Sequence, residues 1–322
     1  MTPGGDPSRP PVVVLAGPTA SGKSGLALAL AEAFDGVIVN ADSMQVYREL
    51  RILTARPDEA ALVRAPHRLY GSQSGREPCS AGRWRLGALA EVEAAHNAGK
   101  LPLLVGGTGL YLRALQEGLA DIPSVPEAVR AAAVARHRSM GGVAFKAELA
   151  RRDPVSAARL HANDSQRLIR AWEVFEATGR SLVEWQADAG AGPPPFRFLN
   201  LVLLPPRAAL YARADARFDE MLAAGALAEV AALLALGYAP DLPVMKALGV
   251  PELADHLAGR RSLAEAAEAA RQSTRRYAKR QFTWLRNQLL GNDPNAIVVD
   301  TQYSESLNAE IFNNIRQNLL TG

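Results

Sequence analysis

The chain has 322 residues, of which 48% are hydrophobic and 21% charged, enough to bury a substantial core as one large domain with an elaboration or as two. Its single cysteine, Cys79, excludes an internal disulfide framework and a cysteine-rich zinc site, and no stretch is long and apolar enough to span a membrane. The net charge is only +3, so any nucleic-acid surface has to come from local clustering. Residues 1–11 are rich in Gly and Pro rather than charged and then apolar like a signal peptide, and a reduced, cytoplasmic setting is expected.

An apolar run at residues 12–16 predicts a buried parallel strand, and residues 25–33 predict a helix. Between them lie Gly17, Pro18, Thr19, Ala20, Ser21, Gly22, Lys23 and Ser24, which is the phosphate-binding pattern GxxxxGK[ST]. The glycines let backbone N–H groups turn toward an anion, and the helix N-terminus adds its positive dipole end. Lys23 supplies a point charge, and the Ser24 hydroxyl can ligate Mg²⁺. A short strand at 37–39 then leads to Asp42, just past a strand's C-terminal end, where open α/β sheets bind ligands. Asp42 is open to two readings, a catalytic or metal-binding carboxylate or a helix N-cap. His67, alone in a loop-rich region, reads as structural.

Ser80 predicts the start of a helix that ends near Gly99, and residues 101–105 predict the next buried strand. After it comes Gly106-Gly107-Thr108-Gly109, a second glycine-rich turn, where an ordinary P-loop ATPase would place its Walker-B acid. The turn suggests close approach of backbone to a ligand; tight helix–strand packing is the alternative. Proline-rich segments at 122–126 and 193–195 bound a helical stretch running to about Ala189. Within it Asp164 and Gly179 mark a helix start and stop, and Gln166, Arg167 and Arg170 fall in the first turns, where arginine opposes the dipole. Residues 198–204 resume the strand pattern, and one long helix is expected over 207–236, with Arg213 and Arg217 on one face and Asp215 and Asp219 on another. Residues 271–286 carry Arg271, Arg275, Arg276, Lys279, Arg280 and Arg286 without a single acid, flanking the apolar stripe Ala278, Phe282, Leu285 and Leu289. Such a helix packs by one side and offers a positive face to a polyanion.

The expected architecture is therefore α/β. A P-loop NTPase-like core with a parallel sheet covers residues 11–122 and 196–290, a helical insertion covers 123–195, and a peripheral tail covers 291–322. From 12 to 286 the chain resembles the bacterial tRNA dimethylallyltransferases, also called isopentenyl-tRNA transferases. The resemblance rests on the P-loop, on Asp42-Ser43 leading to Tyr47, on Thr54-Ala55-Arg56-Pro57 and on Pro66-His67. Further on it rests on Gly106-Gly107-Thr108-Gly109-Leu110-Tyr111, on Asn163-Asp164-Ser165-Gln166-Arg167, and on Lys279-Arg280-Gln281 with Trp284-Leu285-Arg286.

The resemblance implies transfer of a dimethylallyl group from dimethylallyl diphosphate to N6 of the adenine immediately 3′ of a tRNA anticodon. The P-loop would then hold an isoprenoid diphosphate with Mg²⁺ on Ser24. Asp42 would accept the N6 proton, Arg217 would reach the diphosphate, and Thr108 would orient the reacting groups. The absence of a Walker-B acid fits, since no water has to attack a γ-phosphate. The resemblance also implies that Asp42, Ser43, Met44, Gln45, Thr108, Arg130, Gln166, Arg167, Leu168, Ile169, Arg170 and Lys246 face tRNA. From its charge, the basic helix adds Arg275, Lys279 and Arg280. No protein partner is implied, and a monomer is expected. Departures from the family pattern are Ser24 for Thr, Leu53 for Gly, Arg56 for Lys, Ser165 for Pro, and Gly249-Val250-Pro251 where Gly-Tyr-Arg is common. Two rival readings share the loop: a P-loop small-molecule kinase, and a nucleotide-gated RNA-binding switch. The kinase leaves the acid-free basic helix and the second glycine turn unexplained, and the switch gives Asp42 and Arg217 no role.

Overall fold

Four mainly apolar runs become parallel strands, because a strand covered by helices on both faces has little polar side to show. The computed structural model describes residues 8–188 and 190–321; the first seven residues of the Gly- and Pro-rich start, and Ala189 at the expected end of the helical stretch, lie outside the described residues. In chain order the elements begin β1 (Pro11–Ala16), α1 (Lys23–Ala33), β2 (Gly36–Asn40), α2 (Glu59–Arg64), β3 (His67–Arg68), α3 (Ala81–Asn97), β4 (Leu101–Gly106) and α4 (Gly109–Glu117). Four helices follow, α5 (Glu127–Arg152), α6 (Pro154–Arg159), α7 (Ser165–Thr178) and α8 (Leu182–Ala187). The chain then returns through β5 (Arg197–Leu203), α9 (Arg207–Ala223), α10 (Ala226–Ala235), α11 (Val250–Leu257), α12 (Leu263–Trp284), α13 (Leu290–Asn292), β6 (Ile297–Val299) and α14 (Asn308–Thr321).

The strands form one parallel sheet in the order β3-β2-β4-β1-β5-β6. Side chains alternate between its faces. Val12, Val14 and Ala16 join Val37, Val39 and Leu104 in one core, while Val13 and Leu15 join Ile38, Leu103 and Val105 in the other. The register pairs Ala16 with Gly106 and Asn40 with Val105, so β1, β2 and β4 end nearly level. Gly17, Ala41 and Gly107 therefore emerge side by side at the C-terminal edge of the sheet, the edge where such folds bind ligands.

The chain divides into two units, Met1–Gln116 with Pro195–Gly322, and Glu117–Pro194. The second begins at Glu117 rather than at 123, because Leu119 N donates to Ala191 O at 3.2 Å and closes the insertion with its own bridge. It is built around Phe145, Leu149, Leu168, Trp172 and Leu182. Its first helix bends at Gly141, where φ is 75°. Asp164 caps α7 by accepting Arg167 N at 3.3 Å, and Gly179, at φ 69°, ends it as expected.

Two expectations are corrected. The single helix over 207–236 is two helices, α9 and α10, because Gly225 turns left-handed (φ 101°) between them. Residues 291–322 are no peripheral tail. β6 pairs with β5, which would otherwise expose an unpaired sheet edge, and α14 buries Ile311 and Ile315 in the same core as Leu26 and Leu30 of α1.

Candidate active site

The loop after β1 takes its shape from two left-handed residues, Ala20 (φ 65°) and Gly22 (φ 97°). Glycine adopts this conformation freely, whereas alanine pays about 1–2 kcal/mol, so the surrounding fold has to hold Ala20 there. Gly22 is also the N-cap of α1 and has no side chain to cap it, which leaves the first-turn amides for a ligand. Ser21 Oγ is fully buried and has no hydrogen-bond partner among the described residues. Lys23 Nζ arcs back to donate to Pro18 O at 2.7 Å. Desolvation lowers its pKa to about 8, against the opposing pull of the Asp42 carboxylate, and Arg217 lowers it further. The Ser24 hydroxyl is exposed at the start of the helix.

Asp42 follows β2 and caps a turn there rather than a helix. Its Oδ1 caps the next turn, accepting Met44 N at 2.9 Å and Gln45 N at 3.4 Å. Oδ2 accepts no hydrogen bond from the described residues and can take a proton. The backbone of Asp42 is clamped by the buried Asn40, whose Oδ1 accepts Asp42 N at 2.8 Å and whose Nδ2 donates to Asp42 O at 3.0 Å and Leu69 O at 3.2 Å. Thr108, after β4, meets the same turn: its Oγ1 accepts Ser43 N at 3.0 Å. The Tyr277 hydroxyl faces Thr108 and Asp42, and burial followed by the Asp42 charge pushes its ionisation far above the usual phenol range. Burial and the same carboxylate do this to Tyr70 as well.

Arg217 comes from α9 and points at the P-loop, with Nη1 at 3.5 Å from Thr19 Oγ1. Burial depresses its pKa, the Asp42 charge opposes this, and Arg213 adds to it. The acids beside it are taken by other partners. Asp215 pairs with Arg275 at 2.7 Å, Asp219 pairs with Arg271, and Arg213 pairs with Glu220 at 3.0 Å. Among the described residues, neither Arg217 nor Lys23 has a carboxylate within 4.0 Å. Lys23, Arg217 and Asp42 thus form a cluster with one more positive than negative charge beside the loop. Such a charge balance suits an anionic ligand.

The glycines of the second turn are packed closely against neighbouring segments. A Cβ at Gly106 would stand 2.2 Å from the Ala41 backbone, one at Gly107 2.3 Å from Gln281 Nε2, and one at Gly109 2.4 Å from the Trp284 ring. Gln281, buried at 6% exposure, joins the two glycine turns. Its Oε1 accepts Thr19 N at 2.8 Å and its Nε2 donates to Gly107 O at 2.9 Å. Gln281, which enters the sequence reading only as part of a motif, and Tyr277 and Asn40 are given no role by the sequence. The signal for Gln281 is a polar residue on the buried stripe of an amphipathic helix; for Asn40 it is a polar residue closing an apolar strand.

Other expected contacts separate into exposed and internal groups. Arg276, Lys279, Arg280 and Lys246 are exposed on the first unit, and Arg130, Gln166 and Arg167 on the second. Leu168 is not a surface contact: it is 0% exposed in the core of the second unit, and Ile169 packs beside it. Arg170 pairs with Glu173 at 2.6 Å. Arg275 is held by Asp215 and Glu268, so the acid-free helix receives its acids from α9 and from its own preceding turns. Ser43 and Met44 are partly buried, and Gln45 Nε2 is spent on Thr54 O at 2.8 Å and Ala55 O at 3.1 Å. His67 is structural, its Nδ1 lying 2.9 Å from Ala65 O. Arg56 clamps Tyr47 O and Arg48 O at 3.0 and 3.1 Å, and Leu53 fills the space over Gly249.

No group of three or more His, Cys, Asp or Glu among the described residues could hold a metal ion. Mg²⁺ keeps several waters and binds through few protein oxygens plus phosphate, so the exposed Ser24 hydroxyl beside the loop suits it. No helix is long and apolar enough to cross a membrane among the described residues.

The IPP transferase family model matches residues 45–288, and the isopentenyl transferase model matches residues 10–76. A tRNA dimethylallyltransferase of Rhodospirillum centenum is 60% identical over 284 residues, covering 88% of this chain and 90% of that one. Another from Paramagnetospirillum magneticum is 54% identical over 311 residues, covering 97% and 98%. Among solved structures, a tRNA isopentenylpyrophosphate transferase from Bacillus halodurans is 32% identical with a TM-score of 0.69, covering 98% of each chain. A eukaryotic dimethylallyltransferase acting on tRNA is 29% identical with a TM-score of 0.81, covering 96% of this chain and 80% of that one. With a phosphate-binding loop, an opposed carboxylate and arginine, and a family match across most of its length, the chain belongs to the IPP transferase family.

Proposed function

We propose that this protein is a tRNA dimethylallyltransferase. It moves the dimethylallyl group of dimethylallyl diphosphate to N6 of the adenine immediately 3′ of a tRNA anticodon and releases pyrophosphate. The observation that carries the reading is the convergence of Lys23 and Arg217, neither paired with a carboxylate, on Asp42 at the mouth of the P-loop. The names of its relatives support the same chemistry.

In the reaction a bond forms between N6 and the allylic carbon, the carbon–oxygen bond to diphosphate breaks, and the N6 proton passes to Asp42 Oδ2. An adenine amino group has its lone pair delocalised into the ring, and removing its proton during attack restores nucleophilicity, worth roughly 10²–10⁴-fold. The amides from Ala20 to Ser24, Lys23 and Arg217 stabilise the charge that builds on the departing diphosphate. Thr108, fixed by Ser43 N, orients the amino group toward Asp42. The Ser24 hydroxyl would hold Mg²⁺, which would supply further positive charge to the leaving diphosphate. The target base leaves its stack to reach the site. Exposed Lys246, Lys279 and Arg280 of the first unit and Arg130, Gln166 and Arg167 of the second hold the RNA. An asymmetric RNA needs no second copy of the protein, so a cytoplasmic monomer suffices.

The test is a donor comparison. Protein, Mg²⁺ and unmodified tRNA with an adenine 3′ of the anticodon are incubated with dimethylallyl diphosphate or with ATP, and nucleosides are read by mass spectrometry. A five-carbon addition to adenosine that requires the diphosphate and is lost in Asp42→Ala, with tRNA binding retained, is the expected result. ATP turnover without an adduct overturns it.

A further inference from the structure

Past β6, the C-terminal segment reaches the phosphate-binding loop. Gln302 Nε2 donates to Ala20 O at 3.3 Å. The Tyr303 side chain lies against Gly22 of the loop and Gly25 in the first turn of α1: a Cβ at Gly22 would stand 2.8 Å from Tyr303 Cβ, and one at Gly25 3.3 Å from Tyr303 Cε1. The tyrosine is fixed at both ends. Its backbone follows β6, anchored where Leu204 N donates to Val299 O at 2.8 Å, and its hydroxyl donates to Asn308 Oδ1 at 2.7 Å at the start of α14. That helix is in turn seated on α1 through Ile311 and Ile315.

These contacts fall on the part of the loop that needs holding. The course of the loop depends on left-handed Ala20 and Gly22. Gln302 takes the carbonyl of the strained residue. The Tyr303 ring occupies the volume into which the glycines would otherwise relax. A loop ordered before its anion arrives binds that anion more tightly, because the ordering is not paid for on binding.

From this geometry we infer that Gln302 and Tyr303 are positioning residues for the diphosphate: they hold the P-loop amides in their binding arrangement and so set affinity for the isoprenoid diphosphate without touching the tRNA. The inference rests on the reading of the loop as a diphosphate site.

Inorganic pyrophosphate with Mg²⁺ is titrated into full-length wild-type, Lys23→Ala, Gln302→Met, Tyr303→Phe and Tyr303→Ala proteins, and KM is measured for dimethylallyl diphosphate and for tRNA. Lys23→Ala is expected to abolish measurable pyrophosphate binding. Gln302→Met and Tyr303→Ala are expected to weaken it roughly tenfold, the scale of one lost hydrogen bond or ring contact, and to raise the donor KM in step. The tRNA KM stays within about twofold, and Tyr303→Phe, which keeps the ring, binds nearly as the wild type does. If Lys23→Ala binds pyrophosphate normally, the reading of the loop fails and the inference falls with it. If Lys23→Ala loses binding while Gln302→Met and Tyr303→Ala do not, or if both KM values move together, the segment is packing alone and the inference is overturned. Should Tyr303→Ala not fold, Gln302→Met decides.

Discussion

Gln281 Oε1 accepts the Thr19 amide at 2.8 Å across 262 residues of chain, and the same side chain donates to Gly107 O at 2.9 Å. Both ends of one buried amide are thus used to hold the P-loop and the second glycine turn together. Thr19 Oγ1 also lies 3.5 Å from Arg217 Nη1, so the position of Gln281 bears on the P-loop and Arg217 as well as on Thr108.

Gln281→Leu keeps the volume and removes both hydrogen bonds, leaving the Thr19 N–H and the Gly107 carbonyl without partners. Each such group costs about 1–3 kcal/mol when buried, so the melting temperature should fall by several degrees. The substitution should also lower kcat by roughly tenfold or more, because Thr108 and the P-loop lose their common anchor. Gln281→Glu retains the acceptor for Thr19 and loses the donor to Gly107, and should lie between the two. Thermal melts together with steady-state kinetics check this; an unchanged kcat in a folded Gln281→Leu protein would reduce Gln281 to packing.

A second prediction concerns Glu229, on α10. Its Oε1 accepts Arg51 N at 2.6 Å and Ile52 N at 2.8 Å, and its Oε2 accepts Leu53 N at 2.9 Å. Three successive amides converge on one carboxylate, the way a backbone nest holds an anion. The loop so fixed presents Thr54 O and Ala55 O to Gln45 Nε2. Glu229→Ala should cost about 1–3 kcal/mol of stability, since charge-assisted hydrogen bonds are lost together, while Glu229→Gln should cost less. Urea denaturation at constant m-value measures the difference.

The features legible in the sequence are those governed by local rules. The P-loop lies between a strand and a helix as its spacing requires, Asp164 and Gly179 bound α7, and the stripe from Ala278 to Leu289 is buried. Asp42 could be placed at a strand end, but that Oδ1 caps Met44 N is seen only in the structure. What stayed hidden depends on long-range pairing. Gln281 meets Thr19, Gln302 meets Ala20, and Arg275 meets Asp215 sixty residues away, and no periodicity within one segment carries those partners. The glycine turn at 106–109 shows the same limit: the groups packed against it are Ala41, Gln281 and Trp284, which no spacing within the turn reveals.

The third prediction separates the cations of α12 by their partners. Lys279 and Arg280 are exposed, and Arg280 lies over the Tyr277 ring at 5.5 Å. Arg275 instead bridges Asp215 at 2.7 Å and Glu268 at 2.9 Å, tying α12 to the helix that carries Arg217. A cation that neutralises a phosphate contributes about 0.7–0.9 to the slope of log affinity against log salt. Charge reversal at Lys279 and Arg280 together should therefore weaken tRNA binding and flatten that slope by roughly one to two units. Arg275→Ala should leave the slope unchanged, cost up to about 1 kcal/mol of stability because the pairs are partly exposed, and raise the diphosphate KM through the displaced α9. Binding isotherms at several salt concentrations distinguish the two sets. If Arg275→Ala flattens the slope as much as Lys279→Glu, Arg275 leaves its acids for phosphate in the complex, and the division of α12 drawn from its ion pairs does not hold.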